Sequence, residues 1–126
     1  EAAADAAAES QEQPAVLEMK PEITLEEFSR IDLRVATVVH AEPIPKAKKL
    51  LKLEVDMGHK RTLVAVIAEN YTAEELIGKQ VIVVANLKPA KLMGLKSEGM
   101  LLAAKDEDGL CMIRPEKPKT AGTPIG

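Results

Sequence analysis

The stretch from Asn86 to Met100, NLKPAKLMGLKSEGM, gathers three lysines (Lys88, Lys91 and Lys96) and two neutral hydrogen-bonding side chains (Asn86 and Ser97) between two apolar segments. Pro89 stiffens the stretch, and Gly94 and Gly99 let it turn sharply. Ammonium and neutral polar groups in one loop suit a polyanion, because lysine offers a mobile point charge that needs no fixed acceptor geometry. A second cationic run, Lys46, Lys48, Lys49 and Lys52, comes earlier in the chain. Keeping a surface soluble is the alternative use of such lysines. Catalytic parts are missing. Ser97 has no local base to activate it, and His40 and His59 stand apart from each other. No clustered His, Cys or carboxylate set has metal-site spacing, and no glycine-rich nucleotide motif occurs. The expectation is a binding module with no catalytic site, no metal, no cofactor and no small-molecule substrate.

The formal net charge of −3 hides a division. Residues 1–29 carry eight acids and one base, Lys20, whereas the remainder holds 16 bases and 12 acids. The folded part is therefore mildly basic behind an acidic leader, and the whole-chain average misleads. At 126 residues the chain has room for one domain and a tail. A single cysteine, Cys111, excludes an internal disulfide and points to a reducing compartment. No apolar run approaches the roughly 20 residues of a membrane span, and the alanine-rich acidic start is unlike a signal peptide. A soluble, cytoplasmic chain is expected. Its first residue is Glu1 rather than methionine, as in a fragment of something longer, although removal of a tag or leader would look the same.

The elements that must position these lysines read as follows. Residues 1–21, rich in Ala, Glu and Gln with Pro14 and Pro21, show no recurring apolar face and are expected to form a flexible linker. Residues 22–126 form the domain. It opens on Thr24–Glu27, a capping-box pattern that starts a short helix and brings Leu25 and Phe28 to one side. Ile31, Leu33, Val35, Thr37 and Val39 then alternate with Asp32, Arg34, Ala36, Val38 and His40, a strand that Pro43 and Pro45 should end. Leu51, Leu53, Val55 and Met57 alternate with Lys52, Glu54 and Asp56 before a turn at Gly58. Residues 62–68 read as a strand buried on both sides, and Thr72–Glu75 as a second capping box whose helix Gly78 stops. Residues 79–87 and 99–104 complete the main strands, and Leu110–Ile113 adds a short one after a turn. Five or six strands with one short helix between the third and fourth predict an all-β chain, an OB-fold built as a five-stranded Greek-key barrel. With only Phe28 and Tyr71 as aromatics, aliphatic side chains must fill the core.

The scarcity of aromatics also bears on the ligand. Sequence-blind binders of single strands rely on base stacking worth roughly 1–3 kcal/mol per base, and this chain lacks the platform. A structured RNA held through backbone and shape suits it better. Asn86 and Ser97 can donate to phosphate or accept from a ribose 2′-hydroxyl, the group that distinguishes RNA from DNA. They serve equally well as turn residues, and Met100 can lie against a base or in the core. Arg34 has three possible partners: a phosphate, Asp32 or Glu54.

Several separate motifs, in order, resemble the tRNA-binding domain found at the C-terminus of many methionyl-tRNA synthetases. The same domain occurs in stand-alone dimeric tRNA-binding proteins and in the endothelial-monocyte-activating polypeptide family. The resemblance runs over about residues 23–126: Phe28 with Ile31–Val35, Lys46–Leu51, Asp56–Gly58, Tyr71–Gly78, and Asn86–Met100. It implies non-specific tRNA binding and homodimerisation, assisted by the N-terminal helix and the C-terminal segment. It also implies an auxiliary role that raises tRNA affinity for methionine–tRNA ligation without adding a catalytic group. The tRNA-binding residues implied are Arg34, Lys46, Lys49, Lys52, Asn86, Lys88, Lys91, Lys96, Ser97, Glu98 and Met100. Some positions depart from the usual pattern. Ala36 stands where the family often has glycine, Lys48 where it often has aspartate, and Ala65-Val66 where it often has a small residue followed by glycine. A valine at 66 either fills a surface groove or alters barrel curvature. Leu110–Ile113 belongs either to the dimer contact or to the core. A free-standing tRNA-binding protein and a chaperone-like dimer that binds unfolded polypeptide are the alternative functions.

Overall fold

The structure, a computed structural model, describes residues 19–126, so all but the end of the expected linker lies outside the described residues. Helix α1 (Leu25–Phe28) and helix α2 (Ala73–Leu76) are single turns, each fixed by the capping box its sequence announced. Thr24 and Thr72 accept from the backbone N–H of Glu27 and Glu75, and each glutamate accepts from its threonine's N–H. That hydrogen bond from Thr72 holds the Glu75 carboxyl below its ordinary range.

The strands are β1 (Leu33–Ile44), β2 (Ala47–Asp56), β3 (Lys60–Ala65), β4 (Gln80–Val84), β5 (Ala90–Leu92), β6 (Leu95–Ser97), β7 (Met100–Leu101), β8 (Ala103–Asp106), β9 (Gly109–Met112) and β10 (Pro124–Ile125). The main antiparallel sheet runs β3-β2-β1-β4-β7, with β10 added to the start of β1. The fold is mostly β, and its one helix between the third and fourth strands lies where the sequence put it. No strand ladder joins β3 to β7 among the described residues. The two ends of the sheet are instead held together by bonds from the chain just before β7, described below.

Strand β1 organises the sheet by changing partners. Leu33–Thr37 pairs with β4, and from Thr37 onward the strand pairs with β2. Register shifts after Val38 and after Pro43 give the irregularities that let a strand bend between two neighbours. Burial along the strand does not follow the simple alternation expected here. The core takes Ala36 and Val38 and Val35 is buried as well, while Val39 is exposed. Pro43 does not end the strand either, since it pairs with Leu51. Beyond Thr37 one edge of β1 carries no ladder, and a free edge tolerates a missing N–H. The turn falls at Pro45–Lys46, where Lys46 adopts φ 77°.

The core is aliphatic, as the composition demanded. Leu53, Val55, Leu63, Leu76, Val81 and Val83 are fully buried, and β2 alternates buried with half-buried as its sequence did. The stretch read as a strand buried on both sides is shorter than expected: β3 ends at Ala65, and Val66 is 60% exposed. Of Leu110–Ile113, Leu110 is half-buried and Cys111 is exposed. Met112 is buried in the core and its N–H donates to the Tyr71 hydroxyl at 3.0 Å, although Ile113 remains exposed. The distal stretch, read as loop, contains the hairpin β5–β6.

The C-terminal segment, which carried no sequence signal, is tied in by its backbone. Gly122 N–H donates to Val35 O at 2.7 Å and Val35 N–H donates to Thr123 O at 3.0 Å. Gly122 has φ +93°, and a methyl built there would lie 2.6 Å from the Met57 carbonyl oxygen. Gly94 shares a positive φ but faces open space. Gly94→Ala should therefore cost about 1–2 kcal/mol for the left-handed backbone alone. Gly122→Ala should cost clearly more, measured as the loss of unfolding free energy in urea.

Candidate nucleic-acid interface

The hairpin β5–β6 turns through Met93 and Gly94, at φ 52° and 79°, a two-residue loop whose positive φ angles match the twist of paired strands. Its register places Lys91 directly opposite Lys96, with Ala90 opposite Ser97 and Leu92 opposite Leu95. Side chains alternate between the faces of a strand. The two lysines therefore share one face, and Ala90, Leu92, Leu95 and Ser97 share the other. Like charges directly opposite destabilise a ladder, yet among the described residues no carboxylate lies within 4.0 Å of either lysine.

Ser97 is the buried polar side chain of this region, 5% exposed. Its hydroxyl accepts from Val64 N–H at 3.0 Å and donates to Gly99 O at 3.1 Å. Glu98 continues the attachment. Its backbone N–H donates to Thr62 O at 2.8 Å and its carboxylate accepts from Thr62 N–H at 3.0 Å. Both residues are thus engaged with β3. Asn86 is exposed but clasps the approach to β1, accepting from Asp32 N–H at 2.9 Å and donating to Arg30 O at 2.7 Å. Its role as a local turn residue gives way to a contact across more than fifty residues of chain.

Two hollows flank Lys88. One, of about 390 Å³, is an apolar groove that includes Val66, Leu92, Met100 and Leu101. Met100 is 48% exposed there, so it lies at the surface rather than in the core. Val66 lines this groove and is exposed. The other hollow, of about 340 Å³, is polar and is lined by Arg61, Asn86, Lys88, Pro89 and Glu98 among others. Arg61 drew no attention in the sequence because it stands alone beside Lys60, outside both lysine runs. Only the approach of β3 to the end of β4 gives it a place here.

The remaining candidates are dispersed. Lys46, Lys48 and Lys49 are exposed around the β1–β2 turn and line neither hollow. Lys52 faces Glu42 across β1–β2 at 3.8 Å. Arg34 chose Asp32: its Nε donates at 2.7 Å and its Nη2 at 3.3 Å, while Nη1 reaches Gly122 O at 3.0 Å. That hydrogen bond and the Asp32 charge raise the guanidinium further above its ordinary value. Among the described residues no group of His, Cys, Asp and Glu could hold a metal ion, and no helix is long and apolar enough to cross a membrane.

The model of the family described as "Putative tRNA binding domain" matches residues 33–124. The chain belongs to this family. Over 104 residues it is 53% identical to the methionine–tRNA ligase of Thermotoga maritima, covering 82% of this chain and 16% of that protein. Over 116 residues it is 45% identical to the methionine–tRNA ligase of Bacillus subtilis, covering 91% of this chain and 18% of that protein. The chain thus spans less than a fifth of these curated relatives. Among solved structures, the MetRS-related protein of Pyrococcus horikoshii has a TM-score of 0.80 at 39% identity, covering 85% of this chain and all of that one. The chaperone CsaA of Bacillus anthracis has a TM-score of 0.77 at 32% identity, covering 84% of this chain and all of that one. The tRNA-binding-family match therefore falls on the segment holding the paired lysines, Lys88 and both hollows.

Ser97→Ala would leave the buried Val64 N–H without its acceptor, which costs about 1–3 kcal/mol. Urea unfolding of that variant should show this loss, while Lys96→Ala, at the neighbouring exposed position, should unfold at or slightly above the parent midpoint because a like-charge pair is relieved.

Proposed function

We propose that this chain binds tRNA through its phosphate backbone, without reading sequence, as a non-catalytic appendix of a cytoplasmic methionine–tRNA ligase. The observation that carries the reading is the cross-strand pair Lys91–Lys96, two ammonium groups set opposite each other with no carboxylate within 4.0 Å among the described residues. A bound polyanion turns that repulsion into attraction. Lys88 lies on the same hairpin's approach, and Lys46, Lys48 and Lys49 extend the positive surface, with Lys46 holding a left-handed backbone where glycine would be unstrained. Ser97 and Glu98 serve by fixing the hairpin to β3, and Asn86 by tying the chain before it to the approach of β1; Met100 offers an apolar contact beside it. Arg34 acts through Asp32 and the C-terminal segment. Identity to the ligases, at 53% and 45%, supports the appendix over a free-standing tRNA-binding protein. Attached to a catalytic body, such a module makes a weak contact intramolecular and so raises affinity by effective concentration.

The same reading includes a homodimer. Helix α1 buries none of its residues, and Leu25 is 83% exposed. A single helical turn has little stability of its own. Leu25, Phe28 and Ile31 line a hollow with Ile125 of β10, an apolar strip that a second copy would cover. Leu25→Asp with Phe28→Asp should convert the dimer to a monomer in sedimentation equilibrium. A parent chain that sediments as a monomer at every concentration contradicts this.

A second reading has one observation behind it: the apolar groove at Met100 and Val66, in a chain 32% identical to a protein described as a chaperone. Unfolded polypeptide would then occupy the groove. The deciding experiment is anisotropy of labelled unfractionated tRNA across a salt series. Log affinity should fall linearly with log salt, and Lys88→Ala with Lys91→Ala should flatten the slope by roughly one unit or less per lysine. Absence of tRNA binding at low salt would leave the polypeptide reading in its place.

A further inference from the structure

Arg61 is half-buried at the polar cleft, yet no carboxylate lies within salt-bridge distance of it among the described residues. Its guanidinium is fixed from one side. Nη1 donates to two backbone carbonyls, Ala85 O and Glu98 O, and Nε donates to His59 Nε2 at 2.9 Å. Its Nη2 has no acceptor among the described residues. Arginine presents its donors in a rigid planar fork, so anchoring Nη1 and Nε fixes where Nη2 points.

The rest of the cleft completes an anion site. Lys88 contributes a second, mobile charge, and Pro89 stiffens the chain that carries it. The Asn86 amide uses one of its two N–H donors on Arg30 O and keeps the other. Glu98 is the one acid of the cleft, and its carboxylate is occupied by Thr62 N–H at 3.0 Å. Two cations against one engaged carboxylate leave the cleft positive.

We propose that this cleft is a phosphate subsite for the RNA backbone, with Arg61 supplying a fixed donor edge and Lys88 a mobile charge. The proposal rests on the tRNA reading and deepens it. Lysines alone would give a diffuse positive surface, whereas a fixed guanidinium holds one phosphate in one place and so sets the register of the strand. Because Lys88 also lines the apolar groove, a backbone held here runs along the groove's edge toward Met100.

The test is the tRNA salt series repeated on Arg61→Met, Arg61→Lys and Lys105→Met, the last an exposed lysine on β8 outside both hollows. Arg61→Met should flatten the slope of log affinity against log salt by about 0.7–0.9, with a melting curve showing that the variant is folded. Arg61→Lys should keep the slope but bind more weakly, since a point charge replaces the fork, and Lys105→Met should keep the parental slope. An unchanged slope in folded Arg61→Met overturns the subsite while parental binding sustains the tRNA reading. No binding by the parent overturns both. Should Arg61→Met fail to fold, the parent's Arg61 Nε–H resonance decides. A shift on adding tRNA supports the subsite, and no shift overturns it. An equal shift with inorganic phosphate alone assigns the cleft to free phosphate and overturns the RNA assignment.

Discussion

The contact on which the rest of this domain depends is the attachment of the chain at Ser97–Gly99 to the edge strand β3. An edge strand presents unpaired N–H and C=O groups that must find partners or stay wet. Here Ser97 takes the N–H of Val64, and Glu98 takes both the N–H and the C=O of Thr62. These bonds blunt an edge that could otherwise template aggregation. They also bring the far end of the sheet back toward β3 without a continuous ladder. Arg61 adds to this by donating from β3 to carbonyls at the end of β4 and at Glu98.

The surface follows from that attachment. The hairpin β5–β6 has only three residue pairs, and an isolated two-stranded hairpin is marginal in water. Held to β3 through Ser97, it can carry Lys91 opposite Lys96 despite their repulsion. The approach of the hairpin to β3 also leaves the apolar groove between them and the polar cleft beside it, with Lys88 on the rim of both. Asn86, Ser97 and Glu98, all expected at the ligand, also spend their polar atoms within the chain, on the approach to β1 and on β3.

Much of this was legible in the sequence, for local reasons. Both capping boxes are short-range hydrogen-bond patterns, and they appear where Thr24 and Thr72 announced them. Strand β2 alternates because its two faces meet different surroundings. The family was legible because several motifs recur in order, and those motifs fall on β1, the β1–β2 turn, α2 and the distal stretch. The misreadings come from residues whose role depends on a distant partner. Tertiary packing buried the consecutive Val35 and Ala36 of β1 where alternation was expected, a free strand edge let Pro43 continue the strand, and bonds to β1 made a strand of Pro124–Ile125.

The sequence by itself determined the mostly β architecture, the two short helices, the charge division along the chain and the family. Those properties lie in composition, period and near-neighbour chemistry. Only the tertiary structure decided what the polar residues of the distal stretch, and Arg61 of β3 facing them, do. Asn86, Ser97, Glu98 and Arg61 each find partners at least 24 positions away in the chain, and a one-dimensional pattern carries no record of which backbone group a hydroxyl or guanidinium will meet. The same holds for Lys91 and Lys96. Both are plain lysines in the sequence, and it is hairpin register, fixed by the turn at Met93–Gly94, that sets their charges face to face.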